Sequence, residues 1–209
     1  MWRRWSDRFG VAVGYTAAFA AGCLALGAQP AATQDRWLDW ASTNLANLGD
    51  HPLSAMVCSA FLADADRIAW CVLALAGLGT AGWVLGAWRT AVLVTTAHVV
   101  GTLISEGILW ARIHAHLVPE AQRHIRDVGP SYVVIAALAF GILYARWPGR
   151  VLCAIGFVLI APGSFHGLPH LELSAMGHTV SVLVAAGLGF VMVRRRRARL
   201  PSPAPDPAP

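Results

Sequence analysis

The sequence predicts an all-α, polytopic membrane protein with six transmembrane helices, and three observations carry that reading. Only 13% of its 209 residues are charged and 56% are hydrophobic, against about 25% charged in a soluble domain. Six stretches approach the roughly 20 apolar residues that a membrane-spanning helix needs. They are 9–28, 68–88, 91–110, 129–144, 151–165 and 174–193. The arginines, finally, divide unequally between the segments that join these stretches.

The first span is a long apolar run ending in Leu26-Gly27-Ala28, a passable cleavage site. That run exceeds the roughly 7–15 apolar residues of a signal-peptide core, so it reads as a retained span. Segment 29–67 is more than a solvent loop. Leu53, Met56, Val57, Ala60 and Phe61 recur at helical spacing. Trp37 and Trp40 suit a bilayer interface. Two short helices that lie on or dip into the leaflet are expected here, with Ser42 or Thr43 capping one of them. This makes the first outer loop semi-embedded. Spans two and three are long. Spans four and five are short and joined by the tight link 145–150. Span six runs into a cluster of arginines and then the tail 201–209, where proline alternates with small residues and disorder is expected. The chain thus divides into a membrane domain, 1–193, and a basic, then proline-rich tail, 194–209.

Orientation follows the basic residues, all 16 of which are arginine. With six spans and the N-terminus inside, the cytoplasmic face holds Arg3, Arg4, Arg8, Arg89, Arg146, Arg150 and the arginines of 194–199. The outer face keeps Arg36, Arg67, Arg112, Arg123 and Arg126, together with most of the acidic residues. Both termini are therefore expected in the cytoplasm. The net charge of +5 reflects this topology and does not indicate nucleic-acid binding. Cys23, Cys58, Cys71 and Cys153 form no CxxC or Cys/His ligand spacing, so no disulfide framework is expected. His114-x-His116 and His166-x-x-x-His170 lack carboxylates or thiols to complete a metal set and read as solvated loop histidines, as do His51 and His124.

Two motifs point to chemistry. Gly129-Pro130-Ser131-Tyr132 opens span four, and Gly177-His178 lies early in span six. Span four is about 24 Å long at 1.5 Å per residue, short of a roughly 30 Å hydrocarbon core. Its outer end therefore stops below the surface. Gly129 is expected as its cap, with Pro130 and Ser131 in its first turn. His178 lies about 6 Å along its own helix from the same face, so the two depths match. A serine beside an imidazole can act as a nucleophile with its general base, and helix N–H groups can stabilise an oxyanion. The alternative for Ser131 is a simple capping residue. Glu106, Thr102 and His98 share one face of span three. There Glu106 can buttress His178, carry a proton, snorkel to the interface, or make a structural polar contact inside the bundle.

On these motifs the chain resembles the rhomboid intramembrane serine proteases across its six-span core. The embedded outer loop, Gly-x-Ser at the start of a short fourth span and Gly177-His178 in the sixth carry the resemblance. Ser42-Thr43-Asn44-Leu45-Ala46-Asn47-Leu48 and Asp127-Val128-Gly129-Pro130-Ser131-Tyr132 resemble a divergent, actinobacterial-type branch. The resemblance implies Ser131 as nucleophile, His178 as general base, no metal or cofactor, and a bacterial plasma membrane. Partners would be the lipid bilayer and the transmembrane segments of other membrane proteins. Gly129, Tyr132, Glu106 and His98 are the candidates for supporting the site or its oxyanion. The chain departs from the family pattern in several places. Span two lacks the family's His-x-x-x-Asn, Tyr132 replaces a glycine, Ile135 stands where an aromatic stacks on the histidine, and Ser181 replaces a glycine. The alternatives to a protease are an inactive rhomboid-like protein that binds membrane clients, or a small proton-coupled transporter using His98 and Glu106.

Overall fold

The computed structural model describes residues 2–198. The tail expected over 201–209 lies outside the described residues. Those that are described form an all-helical bundle: α1 (Trp2–Gly27), α2 (Ala31–Ala41), α3 (Leu45–Asp50), α4 (Pro52–Ser59), α5 (Arg67–Leu85), α6 (Ala87–His114), α7 (Ser131–Tyr144), α8 (Trp147–Ser164) and α9 (Leu173–Ala198). Short 3-10 turns cover Glu120–His124 and Leu168–His170. Five helices, α1, α5, α6, α8 and α9, are long and apolar enough to cross a bilayer, and α7 is a shorter apolar sixth.

The shortness of α7 has a packing reason. Every residue from Tyr132 to Gly141 is buried, so the helix is walled by its neighbours instead of by lipid. Leu138 and Val134 join Leu78 of α5 and Cys153 of α8 in one apolar cluster. Phe140 and Ala136 join Leu93 and Ala97 of α6 and Ala185 of α9 in another. α7 is thus the axle of the bundle. A helix hydrophobic on all sides belongs in such a position. α8 is the opposite case, with Leu152, Ile155, Val158 and Leu159 exposed on its outer side.

Three details differ from the sequence reading. The first loop contains three short helices, not two, because Asn44 and Pro52 each start a new one. Asn44, and not Ser42 or Thr43, is the cap; its Oδ1 accepts from the Asn47 N–H at 2.9 Å. Ser42 and Thr43 have other bonds to make. Spans two and three are joined by Gly86 alone, so Trp88 belongs to α6.

Candidate functional site

The two sequence stretches that carried the family resemblance are bonded to each other in the fold. The Thr43 N–H and hydroxyl both donate to the Asp127 carbonyl, at 2.9 and 3.0 Å. The Asp127 N–H donates to Ser42 Oγ at 2.8 Å, and the Gly129 N–H donates to the Ser59 carbonyl at 2.9 Å. Further out, Arg126 pairs with Asp39 at 2.6 Å and Asp35 at 3.4 Å. α2 to α4 are in this way keyed to the backbone that leads into α7. Leaving such a buried group unpaired costs about 1–3 kcal/mol, so the entry to α7 is held in one conformation.

Gly129 is not the helix cap; Pro130 is. Gly129 has φ of 148°, a region that L side chains rarely adopt, and it turns the chain so that Ser131 becomes the first helical residue. Ser131 is half-buried, and its hydroxyl has no hydrogen-bond partner among the described residues.

His178 is oriented by α8. The last carbonyls of a helix lack intrahelical partners, and that of Ser164, the final residue of α8, lies 2.6 Å from His178 Nδ1. A carbonyl only accepts, so Nδ1 carries a proton, and Nε2 is the nitrogen left free to accept when the ring is neutral. Nε2 is buried with no hydrogen-bond partner. No hydrogen bond therefore joins it to Ser131. Glu106 does not buttress the imidazole either, since the Ser164 carbonyl holds that place.

Tyr132 lies at the centre of the cluster. Its ring is edge-on to His178, with centroids 5.0 Å apart, and 6.0 Å from the ring of His98. Its hydroxyl donates to Asp127 Oδ2 at 3.0 Å. The same hydroxyl crosses over Gly177, where any Cβ would collide with it. Gly177 is thus the gap through which Tyr132 passes α9. His98 Nε2 donates to the Met56 carbonyl at 2.9 Å and lies 3.4 Å from Ser59 Oγ, so its Nδ1 is bare and buried. Glu106 is 1% exposed, and neither of its carboxyl oxygens has a hydrogen-bond partner among the described residues. The six residues read from the sequence therefore sit at one end of the bundle. His98, Tyr132 and His178 are in ring contact there, while Ser131 and Glu106 stand beside them unbonded.

Sequence reasoning missed two members. Asp127 accepts from Tyr132 and Thr43, and burial pushes its carboxyl above the usual range while those two bonds pull the other way. A carboxylate at the lip of an apolar span was a signal for it. Ser164 contributes only a carbonyl, which no side-chain pattern marks. Beside the cluster, a cavity of about 480 Å³ reaches from the exposed His166, His170 and Glu172 to the buried Ser105 and Ala175.

A family model described as a rhomboid-like protein matches residues 10–199. No curated protein and no solved structure matches the chain. The family match spans all six apolar helices and the whole Ser131–His178 cluster. The chain belongs to the rhomboid-like protein family.

Proposed function

We propose that this protein is an intramembrane serine protease that cuts transmembrane segments of other membrane proteins near the outer face of a bacterial plasma membrane. The orientation of His178 carries the proposal. With Nδ1–H on the Ser164 carbonyl at 2.6 Å, the free Nε2 is the nitrogen that a general base needs. When the Ser131 Oγ attacks the carbonyl carbon of a substrate peptide bond, Nε2 takes the hydroxyl proton. The carbonyl oxygen gains the negative charge. N–H groups in the first turn of α7, which have no intrahelical partner, are placed to stabilise it. The imidazolium then gives its proton to the leaving amine, and the acyl bond to Ser131 is left for water to hydrolyse. The cavity lined by Ser105 and Ala175 offers that water a route. Ser131 and His178 have to close to hydrogen-bond distance for the first step. Such bonds often form only when substrate is bound.

A second reading rests on the missing Ser131–His178 bond and on the absence of histidine and asparagine in α5. On that reading the protein binds transmembrane clients without cutting them. A fluorophosphonate probe separates the two. Labelling of the wild type that is lost in Ser131→Ala supports the protease. No labelling and no cleavage of any transmembrane substrate, in folded protein, supports the binder.

A further inference from the structure

At the arginine-rich end of the bundle, away from the Ser131 cluster, α1, α5 and the start of α8 enclose a cleft of about 530 Å³. Its walls are apolar and include Phe9, Leu75, Ala76, Trp83 and Leu152. Leu75, Trp83 and Leu152 are each about half exposed on the outside of the bundle. The cleft therefore opens sideways, toward hydrocarbon and not toward another helix. One arginine belongs to its lining and a second stands against one of its walls. Arg146 forms part of the lining, and Arg8 lies 4.2 Å over the ring of Trp83, which forms one wall. No carboxylate among the described residues pairs with either arginine.

We propose that this cleft binds an anionic phospholipid of the leaflet on the arginine-rich side, with an acyl chain between α1, α5 and α8 and the phosphate at Arg8 and Arg146. A void along this wall forfeits dispersion contacts that an acyl chain restores. Guanidinium presents a planar fork of donors that matches phosphate oxygens. The amphipathic indole of Trp83 fits the level where chain meets headgroup, and basic pockets between transmembrane helices suit anionic headgroups. A zwitterionic lipid offers the same chains but carries its own cation, which offsets the phosphate charge. The site therefore selects for net negative charge as well as for hydrocarbon.

The full chain is reconstituted in nanodiscs of equal phosphatidylglycerol and phosphatidylcholine, extracted in mild detergent, and its retained lipid identified by mass spectrometry. The wild type is expected to keep phosphatidylglycerol in preference to phosphatidylcholine. Each arginine near the surface contributes about fivefold, so R8Q/R146Q should lower that preference about twenty-fivefold. Arg146 is an exposed link residue, so R146Q alone carries the test at about fivefold if the double variant does not fold. Ala76→Trp, which fills the cleft, should lose the retained lipid while leaving both arginines in place. Equal retention of the two lipids by the wild type overturns the proposal. So does an unchanged preference in R146Q, an equal drop on Arg112→Gln at the opposite end, or displacement of the lipid by inorganic phosphate alone.

Discussion

The ring of Tyr132 stands edge-on to the imidazole of His178, with centroids 5.0 Å apart and planes at 85°. The contact places the residue after the proposed nucleophile directly against the proposed base. Because Tyr132 also donates to Asp127, and Asp127 is tied to Ser42 and Thr43, the short helices of the first loop reach the imidazole through one continuous chain of contacts. Disturbing any member of that chain is expected to move the site.

Ser131→Ala should abolish fluorophosphonate labelling and cleavage of a model transmembrane substrate. The Ser131 hydroxyl makes no cap bond, so the thermal stability loss should stay below the roughly 1 kcal/mol of a lost cap. Equal cleavage with and without the hydroxyl rules out the serine mechanism.

Gly177→Ala should destabilise the fold by about 1–3 kcal/mol, the cost of overpacking a filled site. The added Cβ has no room beside the Tyr132 hydroxyl and ring. Chemical or thermal denaturation of the purified variant measures this, and a neutral result would show that Tyr132 does not lie over α9.

Tyr132→Phe should cost about 1–3 kcal/mol by removing a donor from the buried Asp127 carboxyl. Trp147→Phe, at an exposed position, should leave stability within about 0.5 kcal/mol. Denaturation midpoints of the two variants, compared side by side, give the answer.

The Asp127 carboxyl should make stability fall as pH rises. Burial places its folded value above its ordinary 3.8, so the folded protein binds this proton more tightly than the unfolded chain does. The contribution is complete below the unfolded value and is lost as pH rises through the folded one. Melting temperatures across acid to neutral pH should show this slope in the wild type, and Asp127→Asn should flatten it. A slope that survives in Asp127→Asn assigns it elsewhere.

Labelling of single cysteines from either side tests the topology. A cysteine replacing His116 should react from the outside, and one replacing Trp147 from the cytoplasm. The reverse pattern would put the Ser131 cluster on the inner face.

The sequence by itself determined the helical class, the six apolar segments and the two motifs. Those properties depend on local hydrophobicity and on the φ preferences of glycine and proline, which act within a few residues. It also brought out His98, Glu106, Tyr132 and His178, because polar groups inside apolar spans are costly and therefore conspicuous. The tertiary structure alone decided what these groups touch. The carbonyl that fixes the His178 tautomer comes from Ser164, 14 residues away, and the bonds between Thr43 and Asp127 span 84. Neither pairing is written in the neighbouring sequence, because each is set by where separate helices end once α7 is buried at the centre of the bundle. For the same reason Ser42 and Thr43, read locally as caps, were free to bind Asp127, while Asn44 took the cap itself.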